Sequence, residues 1–211
     1  MNAALPMNDD DDAQHDAEQN DDGKRSGAAD QAKLNAPKAK SAEALSPRSS
    51  ARLAAAQALY QMDMAHTDVA DVINEFKNHR LTKDGGLPGV SRADHVFFAE
   101  LVRGVVRRQN DLDPQVDAAM AKGWRLARID AILRAILRAG AFELIERTDV
   151  PARVVINEYI VVSRAFFDEV EPKVVNGVLD TLARRARAAE LSLPAHAQGA
   201  GSSIAADAVD D

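Results

Sequence analysis

No cysteine occurs among the 211 residues, which excludes disulfides, thiolate catalysis and cysteine-ligated metal sites. Long apolar runs are also missing: no stretch reaches the roughly 18 consecutive apolar residues that a membrane-spanning helix needs. The N-terminus opens on a polar, Asp-rich run (Asp9 to Asp12, then Asp21 and Asp22) that cannot act as the apolar region of a signal peptide. A soluble, cytoplasmic protein is the expectation. The five histidines, His15, His66, His79, His95 and His196, are scattered, and none has a second ligand at metal-binding spacing. Neither a P-loop, nor a Gly-x-Ser-x-Gly turn, nor any other Gly-rich strand-to-helix turn is present. The expectation is therefore a non-enzyme with no cofactor and no metal.

Charge is unevenly placed. Residues 1–46 carry ten acidic and five basic side chains, and residues 191–211 carry three acidic and none basic. The middle holds 21 Lys or Arg against 20 Asp or Glu, so the formal charge of −7 belongs to the two ends. An anionic partner for the middle is thus compatible with the acidic total. Both ends are poor in large apolar side chains and could not bury enough surface to offset an ordering entropy of about 1–2 kcal/mol per residue. The expected organisation is a disordered acidic tail over 1–46, a folded domain over 47–190 and a disordered tail over 191–211. For the first tail two readings stand open, a solubilising extension or a nucleic-acid mimic that screens a basic site.

What is present between the tails is helical periodicity. Ser46-Pro47 gives a hydroxyl N-cap followed by proline at the first helical position, where its missing N–H costs nothing. That helix is expected to run to about Met64. Asp68 caps a short second helix with Val69, Val72, Ile73 and Phe76 on one stripe, and a loop is expected over 81–90. Ser91 with Asp94 resembles a capping box opening a third helix to about Gln109, and Asp113-Pro114 is read as starting a short fourth that ends near Gly123. Arg128 to Glu146 is apolar around so much of its circumference that a central, buried helix is expected. A sixth helix follows Asp149 to Pro151, and a seventh starts at Glu171-Pro172. Gly104, Gly140 and Gly177 fall inside helical patterns at a cost of about 1 kcal/mol each, with close approach of another helix as the expected compensation. The fold class is all-α, with about seven helices.

The first helix bears the residues of most interest. Arg48 and Arg52 lie at i and i+4, and both are expected to project from the surface at the helix N-terminus. That end is already electropositive, and no acid occupies its first turn. Two guanidinium groups beside unpaired amides suit phosphate oxygens; two solvated arginines at a frayed helix start are the open alternative. Lys173, after Pro172, repeats the arrangement more weakly. RNA recognition commonly adds base stacking on aromatics, and aromatic residues make up only 4% of the chain. Phe166 reads as core and Phe167 as either core or contact. Tyr60 and Trp124 could serve either purpose.

Read together, several short segments resemble the NusB family of bacterial transcription antitermination factors. They are Arg48-x-x-x-Arg52 leading into Ala56-Gln57-Ala58-Leu59-Tyr60, Leu101-Val102-Arg103-Gly104-Val105, Ala135-Ile136-Leu137-Arg138 and Phe142-Glu143-Leu144. Asp149-Val150-Pro151, Val155-Ile156-Asn157-Glu158 and Val175-Asn176-Gly177-Val178-Leu179-Asp180 complete the series. The resemblance implies two small helical bundles. It also implies binding to boxA RNA of nascent ribosomal RNA transcripts jointly with NusE, a small-subunit ribosomal protein, within an RNA polymerase complex containing other Nus factors. On the same basis Arg48, Ser49, Arg52 and the neighbourhood of Lys173 are the implied RNA contacts, and Tyr60 the implied partner-protein contact. Two departures from the family pattern stand out: Ser49 and Ser50 thin the arginines of the first helix, and Val174 stands where an aromatic is frequent. Self-association into a homodimer is left open. Two other uses of such a domain remain: the RNA-binding arm of a ribosomal RNA cytosine methyltransferase, and an adaptor that binds only protein.

Overall fold

The structure, a computed structural model, describes residues 45–82 and 90–192, all within one compact unit. Most of the expected tails and of the expected loop over 81–90 lie outside the described residues; Leu191 and Ser192, expected in the second tail, are helical. Seven α-helices and no strand occur among those described.

Helix α1 (Pro47–Ala65) begins where the Ser-Pro pair places it, with the Ser46 hydroxyl accepting from the Ser49 amide at 3.1 Å. It ends at His66 in the left-handed region (φ 53°). Ala51, Ala54, Ala55, Ala56 and Ala58 are all fully buried, so its small side chains admit neighbouring helices on several sides. Helix α2 (Val69–Glu75) is capped by Asp68 and continues into a wider π-helical turn, Phe76–Arg80. Phe76 there stacks on Phe98 with ring centroids 5.4 Å apart.

Helix α3 (His95–Ala119) corrects two expectations. Its cap is Asp94, whose carboxylate accepts from the amides of Val96 and Phe97 at 3.0 Å, so the helix starts after Asp94 and not at Ser91. The Asp94 amide also donates to the Pro47 carbonyl at 2.9 Å, pinning the start of α3 to the start of α1. Asp113-Pro114 starts no new helix, because α3 runs through Pro114 without a break. An interior proline removes one backbone bond and costs about 3 kcal/mol in isolation. Here fully buried Leu112 and Val116 flank it, and Asp113 is gripped by Arg138, so packing holds the helix across the gap.

A 3-10 turn (Leu126–Arg128) leads to α4 (Ala131–Glu146), capped by Asp130. Ile132, Leu133, Ile136, Leu137, Phe142 and Leu144 are buried on this helix, as expected of a central one. Helices α5 (Ala152–Arg164) and α6 (Val170–Ala186) follow, with a short α7 (Ala188–Ser192). Helix α4 packs against α1, α3, α5 and α6, so it is common to the two small bundles.

The helical glycines separate into two kinds. A methyl group at Gly104 would stand 2.1 Å from Phe142 Cζ, and one at Gly140 2.8 Å from Leu179 Cδ1, so both permit close helix approach. Gly177 departs from expectation: it is exposed, with nothing within 4 Å of where a Cβ would lie. Gly177→Ala should therefore raise unfolding free energy by about 0.5–1 kcal/mol through helix propensity alone. Gly104→Ala should lower it by about 2 kcal/mol through overpacking, despite the same propensity gain. Urea denaturation of the two variants tests the contrast, and equal effects would refute it.

Candidate nucleic-acid interface

The first turn of α1 carries Arg48, Ser49 and Arg52, and the structure gives them different places. Arg48 is exposed, its guanidinium 5.3 Å from the centroid of the Phe97 ring. It makes no ion pair among the described residues. Ser49 points inward, 6% exposed, and donates to Glu158 at 2.6 Å.

Arg52 does not project from the surface as expected. It is 3% exposed and forks onto Glu143, with Nε donating to Oε2 at 2.9 Å and Nη2 donating to Oε1. Its Nη1 donates to Glu158 at 3.1 Å. Glu143 is fully buried on α4 and also accepts from the Tyr159 hydroxyl at 3.0 Å. The reason is that almost the whole circumference of α1 from Ser49 to Leu59 is covered by other helices, so i, i+4 spacing does not place Arg52 beside Arg48 in solvent. Burial works to lower the Arg52 pKa, but the hydrogen bonds and charge of Glu143 outweigh it and raise the value above the ordinary one. Burial, with the Glu143 charge second, pushes the Tyr159 phenol well above its ordinary value, so it stays a neutral donor.

A third arginine completes the site and was not singled out from the sequence. Arg147, just past α4, lies 5.4 Å from the Phe97 centroid, while Arg52 lies 5.1 Å from it. Three guanidinium groups thus surround one buried phenyl ring, whose faces attract cations. Arg147 is itself held by Asp149 at 2.8 Å and Glu100 at 2.7 Å. The hydrogen bond from Arg147, with its charge and that of Arg48, draws the Asp149 carboxyl down to about 2. A single carboxylate inside the apolar run Ala139 to Leu144 is the sequence signal that a buried cation must meet it. Which cation it would be, 91 positions away, was not legible.

The remaining candidates stand apart. Lys173, in the first turn of α6, is 79% exposed and only 4.0 Å from Glu169. No described contact joins it to the start of α1. Phe166, Phe167 and Val174 are partly buried against the core, whereas Trp124 is 42% exposed in the loop after α3. Tyr60 is partly buried where α1 turns outward towards Met64, which is 51% exposed. Beyond it lies a cleft of about 780 Å³ in which Arg134 and Arg138 meet Asp63 and Asp113. No group of acidic or histidine side chains able to hold a metal occurs among the described residues. No helix among them is long and apolar enough to cross a membrane.

Arg52→Met should destabilise the fold by about 3–5 kcal/mol in urea denaturation, because Glu143 is left charged and unpaired in the core. Adding Glu143→Leu should recover most of that loss, whereas an Arg52→Met variant as stable as the parent would disprove the buried pair. In carboxyl-detected NMR titration Asp149 should titrate near 2, and Arg147→Ala should return it to the ordinary carboxylate range. Its stabilising contribution is present above the ordinary carboxylate pKa and is lost as pH falls through about 2.

Comparison with known proteins places these features in a family. A model of the NusB family matches residues 49–184. The protein from Maricaulis maris named "Transcription antitermination protein NusB" is 54% identical over 140 residues, 66% of this chain and 88% of that protein. The proteins of the same name from Rhodopseudomonas palustris and Caulobacter vibrioides are each 51% identical, covering 75% and 68% of this chain and 94% and 96% of theirs. The solved structure titled "T. maritima NusB, P3121, Form 2" superposes with a TM-score of 0.58 at 24% identity, over 71% of this chain and all of that one. A second, titled "Crystal Structure of a Plectonemic RNA Supercoil", gives 0.55 at 26% identity, over 67% of this chain and 96% of that one. The name these relatives carry is that of a transcription factor, not of an enzyme. With a matched core, a shared all-helical fold and half of the aligned residues identical to theirs, this chain belongs to the NusB family.

Proposed function

We propose that the protein is a transcription antitermination factor that binds boxA RNA of nascent ribosomal RNA transcripts together with NusE, within an RNA polymerase complex containing other Nus factors. Identity of 51–54% to antitermination proteins, across 88–96% of their length, is the observation that carries the reading.

The geometry adds a division of labour. Arg48 is the exposed cation at the electropositive start of α1 and takes a phosphate oxygen. Arg52 and Ser49 act through their grip on Glu143 and Glu158, fixing the helix start from which Arg48 extends; they are positioning residues. Lys173 supplies a second exposed cation at the start of α6. Tyr60, at the outward-turning end of α1, belongs to the protein-partner face, with the exposed thioether of Met64 beside it.

Labelled boxA RNA, titrated with the full chain in the presence and absence of NusE, tests the proposal. Arg48→Glu should weaken RNA binding by about tenfold, equivalent to about 1.4 kcal/mol, and leave the thermal melt unchanged. Tyr60→Asp should sever NusE while sparing RNA contacts. Absence of RNA binding by the parent chain at low salt, with or without NusE, would refute the reading.

A further inference from the structure

The exposed face of α5 has a composition unlike an ordinary solvated helix face. With about 100° per residue, Arg153, Asn157 and Arg164 fall within about 40° of one another around the helix, with Val161 and Val154 next to them. All five are exposed, Val154 at 44% and Val161 at 37%. Neither arginine makes an ion pair or hydrogen bond among the described residues, and the Asn157 amide is equally unengaged. Within α5 no carboxylate shares this arc, and Asp168 follows Arg164 by four residues beyond the helix end. Glu158 is turned about 100° away from Asn157, towards Ser49 and Arg52, which already hold it. At the N-terminal end of the helix, Asp149 is occupied by Arg147 and Glu190 by the Ala152 amide and Arg187. The two arginines, eleven residues apart, are separated by about 16 Å along the axis.

We propose that this face is a second stretch of RNA-binding surface, carrying the strand onward from Arg48; the inference rests on the RNA-binding reading above. The Ser49–Glu158 and Arg52–Glu158 contacts set α5 directly against the first turn of α1, so the two basic surfaces adjoin. Charge decides the occupant. Two guanidinium groups with no ion pair among the described residues suit a polyanion, while a protein interface core is depleted of charge. Between them an amide offers donor and acceptor to base edges, and two half-exposed valines offer apolar contact to base or sugar faces. Phosphate contacts here position the strand, and Asn157 is the residue placed to read it.

The test uses full-length protein with Arg153→Gln and Arg164→Gln combined, binding labelled boxA RNA in the presence of NusE over a salt series. Affinity should fall by about tenfold. The slope of log affinity against log salt should shrink by about 1.4, from two lost phosphate contacts at about 0.7 each on a single strand. Both substitutions are on the surface, so the melt should not move. Asn157→Ala alone should narrow the preference for boxA over a scrambled RNA with no change in slope. Unchanged affinity and slope in the double variant, while Arg48→Glu still weakens binding, would overturn this inference and leave the RNA-binding function standing. Loss of NusE binding with RNA binding retained would also overturn it, by showing a protein-docking face. Failure of the parent chain itself to bind RNA would remove both.

Discussion

The Arg52–Glu143 pair is the constraint on which the rest of the arrangement depends. Both charges are taken out of water, at a cost of several kcal/mol each after relaxation, and only excellent geometry offsets that. The fork supplies it: two bonds from guanidinium to carboxylate, a third from Arg52 to Glu158 and a fourth from Tyr159 into Glu143. Four side chains from α1, α4 and α5 therefore have one satisfied arrangement. A small rotation of α1 would leave a buried charge unpaired, a far larger cost than losing a surface contact. The pair contributes orientation more than net stability. It fixes which way the first turn of α1 faces and hence that Arg48 points out.

The electrostatics around that turn follow from the same pairing. Arg48, Arg52 and Arg147 crowd one phenyl ring, yet Arg52 is answered by Glu143 and Glu158, and Arg147 by Asp149 and Glu100. Only Arg48 is left without a salt bridge among the described residues of this cluster. Three clustered guanidinium groups would repel one another; four carboxylates make the cluster tolerable and leave a single cation presented to solvent. The low count of arginines in the first helix is therefore lower still in effect. For the proposed RNA site, one exposed arginine is a slender phosphate contact, and the proposed basic face on α5 would add to it.

The fold was largely legible because its signals are local. Ser46-Pro47 and Asp68 announce helix starts through their own caps, and the apolar circumference of α4 announces its central place. Where reading failed, a distant residue decided. Pro114 looked like a helix start because its cost is local, but Asp113 held by Arg138 and the buried pair Leu112 and Val116 carry α3 across it. Arg52 looked like a surface cation because nothing within its own helix buries it; its partners lie 91 and 106 positions along. Gly177 looked like a packing residue by analogy with Gly104 and Gly140, and no periodicity distinguishes a glycine under a phenyl ring from one facing open space.

A second set of forks stands at the far end of α1. Arg138 donates in parallel to Asp113 at 2.8 and 2.7 Å and reaches Asp63, which Arg134 also holds at 2.9 Å. This set joins α1, α3 and α4 where the first joins α1, α4 and α5. Helix α1 is thus clamped to α4 near both ends, through Arg52–Glu143 and through Asp63–Arg138, with Tyr60 close to the second clamp. Arg48 and Tyr60, twelve residues apart, are held about 18 Å from each other along one rigid axis. The proposed binding of an RNA strand at one end and a protein at the other would then require no reordering of the helix that connects them. The entropic cost of arranging two surfaces at a fixed separation has been met in folding. Small alanines in the middle of α1 make this possible, since they let α3 and α4 approach closely enough for arginine forks to span the gaps.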